Sequence, residues 1–421
     1  MKKSLLAVAA IGAFASAAQA QSSVTVYGIL DVGYIGGNSR VSNSSTLANG
    51  GQTKTVVNQF GQSAETTSRL GFKGTEDLGN GTSAFFTAEF QLYPSDQNVS
   101  GNTNGGLLNR QTFVGLKKNG IGQAAVGTQY TPVFNAGSAT SPTQYNNVVG
   151  DLIYAGSPIT TTKGIDNAGS VSSSFTNRTS NTLTVASDKF AGFSANAMYT
   201  LANQNATAND NSAQQITSGG NTNASGWGLG ADYTYNKFYV TAAYQALKQI
   251  TSTSSYGTPT ITTAVPWTNA QPSASTATTN MAAKDLTGSG LNVQDNQFLA
   301  GATYDFGILK AYAQYVSRKA TATASSNYYI KRSAEQIGVR SYITPSIEAW
   351  AAGSLGRYTS FGMNQPTANM NAWQLGSNYY LSKRTNLYAI YGQQLISNSA
   401  AGSTTISGGV SNYAIGVRHT F

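Results

Sequence analysis

Apolar and polar residues alternate position by position over runs of roughly ten residues, and tight turns alternate with long polar loops. No run beyond the first twenty residues is long and apolar enough to cross a bilayer as a helix. Together these observations predict an all-β chain, a sixteen-stranded antiparallel transmembrane β-barrel with apolar faces turned to lipid and charged faces to a wet interior.

Residues 1–20, MKKSLLAVAAIGAFASAAQA, have two lysines, a short apolar run and the small-x-small triplet Ala18-Gln19-Ala20. This is the pattern of a cleaved export signal, so the barrel domain is expected to span 21–421. The absence of cysteine rules out thiolate metal sites and cysteine nucleophiles, and it fits an exported chain that does without disulfides. Glycine (45) and tyrosine (24) are abundant and proline (9) is scarce, which suits strands, turns and interfacial aromatics. Charged residues make up 10%, well below a soluble domain's share. The formal net charge is +9; loss of Lys2 and Lys3 leaves 25 − 2 = 23 basic against 16 acidic residues, or +7. The basic residues are scattered singly along strands, which argues against nucleic acid as a partner and for an anion-attracting cavity.

In the first strand, Val24 to Ile35, Asp31 marks the wet face, shared with Tyr27 and Ile29 and opposite Leu30, Val32 and Tyr34. A polar loop, Gly36 to Ala64, is expected next. In Ser68 to Leu92, Arg69, Gly71 and Lys73 oppose Leu70 and Phe72. Beyond the turn Thr75 to Gly81, Ser83, Phe85, Thr87, Glu89 and Gln91 oppose five apolar residues, Ala84 to Leu92. Arg110 to Lys117 and Gln123 to Tyr130 form a further hairpin, in which the parity of Arg110 is ambiguous because both faces carry apolar residues. The remaining strands are Arg178 to Ala186, Phe193 to Leu201, Trp227 to Tyr235, Phe238 to Leu247, Gln297 to Tyr304, Ile308 to Ser317, Lys331 to Ile343, Ser346 to Leu355, Ala372 to Leu381, Asn386 to Ile396 and Val410 to Phe421. Short turns such as Asn236-Lys237 alternate with long loops such as Thr131 to Asn177 and Lys248 to Asn296, as in an up-and-down barrel. The last strand puts Tyr413, Ile415, Val417, His419 and Phe421 on one face and is expected to close the seam.

The blocks SSVTVYGILDVG, SRLGFKGTEDLGNG, NRQTFVGL and YYLSKRTNLYA and the ending VRHTF together resemble the general trimeric porins of Gram-negative bacteria, above all the beta-proteobacterial branch. The resemblance spans the mature chain. It implies sixteen strands, a homotrimer in the outer membrane, and a third extracellular loop, here 131–177, folded into each pore. By motif, Arg69, Arg110 and Arg178 fall where such porins carry constriction cations, and Glu89 where they often carry an acid; Asp151 or Asp166 would supply the loop's acidic side. Many relatives carry Arg after the glycine of the fifth strand, whereas this chain has Thr128 after Gly127, which softens any anion preference.

Fixed charges on a narrow low-dielectric wall select ions. Three arginines against Glu89 and a loop aspartate leave a net positive eyelet, while Asp31, Lys73 and Lys310 are expected as plain lumen lining. The expected function is passive diffusion of inorganic ions and small hydrophilic solutes with an anion preference. The alternatives are a substrate-specific channel for a sugar or dicarboxylate, with Trp350 as a stacking platform, and a surface adhesin that works through its loops. Trp227, Trp350 and Trp373 read as interfacial girdle residues. Catalysis is not expected, because the only histidine, His419, points to lipid and no triad has a base. Gly226-Trp227-Gly228-Leu229-Gly230 opens a strand with no helix after it, so it is no phosphate loop, and no cofactor is expected.

Overall fold

The computed structural model of the chain describes residues 23–43, 52–100, 106–151, 175, 178–206, 220–253, 293–322, 329–361, 367–398 and 406–421. The leader 1–20, Asp166, and the greater part of the loops expected at 131–177 and 248–296 lie outside the described residues. The strands are β1 (Ser23–Asn43), β2 (Gln52–Gln62), β3 (Arg69–Gly79), β4 (Thr82–Gln91), β5 (Leu108–Lys118), β6 (Gly122–Tyr130), β7 (Arg178–Ser187), β8 (Phe193–Ala206) and β9 (Gly220–Tyr235). They continue as β10 (Phe238–Thr253), β11 (Val293–Asp305), β12 (Lys310–Ala322), β13 (Tyr329–Thr344), β14 (Ile347–Phe361), β15 (Ala368–Tyr380), β16 (Thr385–Asn398) and β17 (Ile406–Thr420). One helix, α1 (Pro132–Thr140), follows β6.

From β3 onward every strand pairs antiparallel with its neighbours in sequence, and β17 returns to β1 in the register Ile29↔Thr420 to Asn43↔Ile406. Gly28 and Phe421 exchange both backbone hydrogen bonds, at 3.0 and 3.1 Å, which completes the seam. The other edge of β1 is shared. Its first part pairs with β3 (Ser23↔Thr75 to Ile29↔Arg69) and its second with β2 (Val32↔Gln62 to Ser42↔Gln52). β2 and β3 are therefore two halves of one stave, and the 17 segments build a barrel of 17 − 1 = 16 strands.

This corrects the expected loop Gly36 to Ala64, because β1 runs to Asn43 and Gln52–Gln62 is strand. Other strands likewise run past their sequence-derived ends, β14 to Phe361 and β17 back to Ile406. Only hydrocarbon enforces apolar alternation. Beyond it the backbone ladder continues through polar residues, and the period that marks a strand is lost.

The alternation runs apolar outward and polar inward. Val114, Val126, Leu229, Ile337, Leu355 and Ile415 are each more than half exposed, whereas Glu89, Gln245, Gln297, Arg318, Arg332 and Gln374 on the opposite face are buried. A soluble sandwich would show the reverse. Trp227 and Trp373 stand on the outer face, and His419, also outward, meets Thr385 Oγ1 at 2.9 Å. The tight turns are shorter than the sequence suggests. Only Asn80 and Gly81 separate β3 from β4, both with the positive φ (53° and 68°) that a two-residue hairpin requires.

Candidate pore constriction

Glu89 is the centre of the inner face of β3 to β7. It lies on β4 with the wet parity, is 3% exposed, and has two hydrogen-bond donors and a further ion-pair partner. Arg110 Nε donates to Oε1 at 2.9 Å, Tyr27 Oη donates to Oε2 at 3.1 Å, and Arg69 Nη1 stands 3.6 Å from Oε1. Arg110 also reaches Tyr130 Oη at 2.8 Å and Gln91 Oε1 at 3.4 Å. Arg69 Nε donates to the Thr67 carbonyl at 2.9 Å. Arg178, at the start of β7, holds its guanidinium 5.8 Å from the Tyr130 ring centroid. Two guanidiniums thus meet one carboxylate, and a third lies against Tyr130, whose hydroxyl accepts from Arg110.

A register shift resolves the parity of Arg110. Glu89 pairs with Gln111 but Phe90 pairs with Asn109, so Arg110 is the extra residue of a β-bulge. Counted along the strand it shares the parity of outward Val114 and Leu116, yet it is 4% exposed and faces inward. Bulges re-aim a side chain in this way. A second bulge, between Gly127 and Gln129 opposite β7, leaves Thr128 paired with Thr112.

The segment 131–151 leaves β6 beside this cluster. Thr131 caps α1 by accepting from the Phe134 amide at 3.2 Å, and Phe134 stacks on Tyr130 with centroids 3.8 Å apart. Gln314 Nε2 on β12 donates at 2.8 Å to the Gly137 carbonyl and to Thr140 Oγ1. Gly301 on β11 faces Thr140 so closely that a Cβ there would collide with it. Arg340 on β13 donates to the Pro142 carbonyl at 2.8 Å. Gln374 on β15 exchanges hydrogen bonds with the Asn146 amide at 2.6 and 3.0 Å and donates to the Val148 and Val149 carbonyls. Asn147 binds the Ser63 carbonyl through Nδ2 (2.6 Å) and the Ala64 carbonyl through its backbone (3.0 Å).

Asp151 is fully buried and accepts from Ser141 Oγ at 2.6 Å and from Thr143 Oγ1. Those hydroxyls belong to its own segment, next to the Pro142 carbonyl that Arg340 holds. Asp31 is also fully buried. Its carboxylate accepts from Tyr388 Oη (2.6 Å) and from the Glu65 (2.9 Å) and Thr66 (2.6 Å) amides. It thereby fixes Ser63 to Ser68, the link between β2 and β3, against the inner wall. Lys73 lies 5.4 Å from the Tyr27 ring centroid, and Lys310 5.2 Å from that of Tyr312.

Sequence reasoning missed a second basic group. On the inner face Arg318 binds Asp295 through Nε (2.9 Å) and Nη2 (2.6 Å), and Arg332 is its direct cross-strand neighbour. Arg340 binds Glu348 at 2.8 Å, and Arg418 meets Glu65 at 3.3 Å. The signal was the shared parity of Gln314 with Arg318 and of Arg332 with Gln336 and Arg340. Trp350 is not a girdle residue. It is 4% exposed, its indole N–H donates to Gln374 Oε1 at 3.0 Å, and the Arg340 guanidinium lies 4.6 Å from its ring.

Among the described residues no group of His, Cys, Asp and Glu could hold a metal ion. The charge on the described inner wall sits in arginine–carboxylate clusters, an arrangement that acts on passing ions by its field.

Comparison with known proteins bears on the same arrangement. The family model for Gram-negative porins matches residues 7–399. An outer membrane porin protein of Bordetella pertussis is 25% identical over the full length of both chains. Outer membrane porin protein 32 of Delftia acidovorans is 37% identical over 132 residues, 31% of this chain and 33% of that one. Among solved structures, an anion-selective porin from Comamonas acidovorans superposes with a TM-score of 0.62 at 20% identity, over 95% of this chain and 100% of that chain. OmpT of Vibrio cholerae gives 0.54 at 12% identity, over 95% and 98%. A match over nearly the whole sequence, on a closed barrel whose inner wall is ionic and whose outer wall is apolar, leaves one conclusion: the chain belongs to the Gram-negative porin family, outer-membrane barrels that pass solutes by diffusion.

Proposed function

We propose that this porin prefers anions among the ions and small hydrophilic solutes it passes. The observation that carries the reading is the ratio of charges on the inner wall: Arg69 and Arg110 flank the single carboxylate of Glu89 with Arg178 nearby on Tyr130, and Arg318 pairs with Asp295 while its cross-strand neighbour Arg332 adds a further cation. Arg340 with Glu348 and Arg418 with Glu65 are one-to-one pairs and add no surplus. Lys73 and Lys310 add to the positive side. The Comamonas acidovorans porin that shares the fold is described as anion-selective.

Segment 131–151 is the inward-folded third extracellular loop, and the pore narrows between it and the Arg69–Glu89–Arg110–Arg178 wall. Support comes from its hydrogen bonds to Gln314, Arg340 and Gln374, all of inward parity, and to Ser63 and Ala64. The long loops face the exterior, as is general for such barrels. Residues 1–20 direct export and are then removed, and three chains assemble into a trimer, which a mass measurement on unheated detergent extract would test. Trp350 lies covered by Arg340 and bonded to Gln374, which argues against the stacking platform a sugar-specific channel would use.

The test is the reversal potential of a planar bilayer holding the protein under a salt gradient. An anion-selective sign is expected. A cation-selective sign would refute the charge argument, and absence of conductance would refute the channel.

A further inference from the structure

The outer wall of β10 to β13 carries a concavity of about 390 Å³ near the long-loop end, lined by Tyr244, Asn296, Phe298, Lys319, Tyr329 and Lys331. These residues belong to the lipid-facing parity; the inward positions beside them are Gln245, Gln297, Arg318 and Arg332. Lys319 and Lys331 are direct cross-strand partners. Their Cβ atoms are therefore about 5 Å apart, and like charges so placed repel unless an anion lies between them. Among the described residues neither lysine ion-pairs with a carboxylate. The outward acid of the same strand, Glu335, is four residues from Lys331, roughly 13 Å along the chain. Lys319 Nζ lies 4.2 Å from the Tyr329 ring centroid, a contact that holds the ammonium in the cleft.

The height of the cleft indicates what fills it. A strand crosses the hydrocarbon in about nine to eleven residues. Lys310 is the first residue of β12 after the short turn, so Lys319 falls where the strand emerges at the opposite interface. Tyr244 and Phe298, partners across β10 and β11, lie deeper toward the short-turn rim. The site is cationic at headgroup level and aromatic beneath, a polarity that matches an anionic amphiphile and exceeds what a free anion requires.

We propose that this cleft binds a phosphorylated glycolipid of the outer leaflet, its phosphate between Lys319 and Lys331 and its acyl chains over Tyr244 and Phe298. The proposal takes from the function given above only the outward orientation of the long loops.

Native mass spectrometry of the full detergent-solubilised protein, titrated with bisphosphorylated lipid A, with its dephosphorylated form, and with inorganic phosphate as competitor, tests it. One lipid A per chain is expected. Retention should fall about thirtyfold in the double variant Lys319→Gln/Lys331→Gln and about fivefold in Lys331→Gln alone, which carries the test if the double variant fails to assemble. Lys383→Gln, in a short turn at the opposite rim, should retain lipid as wild type does. Undiminished retention in both cleft variants, or equal binding of the dephosphorylated lipid, would overturn the proposal. Displacement by inorganic phosphate alone would overturn the lipid as occupant and leave a bare anion site. Conductance is recorded on the same samples, so failure of the anion preference with lipid retention intact would refute the channel reading and leave this one standing.

Discussion

Arg69→Gln isolates the charge argument. Arg69 is the more open of the two guanidiniums at Glu89: its side chain is 19% exposed against 5% for Arg110, and its Glu89 contact is 3.6 Å against 2.9 Å. Glutamine therefore removes a pore-facing charge and leaves the Glu89–Arg110 pair in place. A unit charge ~10 Å from a passing ion contributes about 1.7 kcal/mol at an effective dielectric near 20, and one Debye length of screening lowers this to about 0.6 kcal/mol. That is close to thermal energy, so anion entry falls roughly threefold, cation entry rises by a similar factor, and the permeability ratio drops about eightfold. Glu89→Gln keeps an acceptor for Arg110 while removing the negative charge, and it should move the ratio by a comparable factor the other way. The assay is the reversal potential of each variant under one salt gradient. Unchanged potentials in both variants would mean that the ion path avoids this wall, and a shift of Arg69→Gln toward anions would refute the sign of the argument.

Asn147→Ala removes the hydrogen bonds from Nδ2 to the Ser63 carbonyl (2.6 Å) and Thr67 Oγ1 (3.1 Å), so single-channel conductance should rise and become noisier as the loop loosens; an unaltered trace would dissociate the loop from the constriction. Tyr388→Phe leaves buried Asp31 without its 2.6 Å donor and should cost about 1–3 kcal/mol, read as a lower temperature for loss of the folded band in heat-modifiability gels. Ile337→Arg puts a charge on the outer face at a position 71% exposed and should cost roughly 2–4 kcal/mol in folding into vesicles; folding at the wild-type yield would place that face away from lipid.

Side-chain parity made most of the barrel legible. The hairpin of Arg69, Glu89 and Lys73 against Phe72 and Phe86 required one face wet and one face greasy, and the register Arg69↔Gln91 to Asp77↔Ser83 has that arrangement. Three things escaped. β2 has little alternation because much of it lies beyond the apolar band, and the break at Ser63 to Ser68 makes sense only with Asp31, Tyr388 and Asn147, which are distant in sequence. The inward turn of Arg110 depends on a bulge, and a bulge shows only in the pairing of two strands. The Arg318, Arg332 and Arg340 group was visible as parity but carried no block of the kind that made Arg69 and Arg110 stand out.

One departure from parity carries information that neither motif nor charge supplied. A wet inner wall should be polar, yet Ala243, Leu299, Val316, Ala334 and Met370 of inward parity are buried in one apolar cluster with Val133 and Ala136 of α1 and with Phe175. A second cluster joins Ile35, Trp350, Ile390 and Ala414 of the wall to Ala64 and Val148. Each is a dry footprint where segment 131–151 or the β2–β3 link covers the wall, since apolar side chains facing a water-filled lumen would gain nothing there. Apolar residues at wet positions therefore outline the covered part of the lumen, where Arg332 and Arg340 are buried with them, and the more exposed Arg69 and Arg418 mark its open part. Between Thr131 and Asp151 the chain carries no lysine, arginine or glutamate, and its one acid is satisfied by neighbouring hydroxyls. On the loop reading proposed above, the described part of the loop brings one carboxylate and no cation to the channel, and the positive side of the field comes from the arginines of the wall.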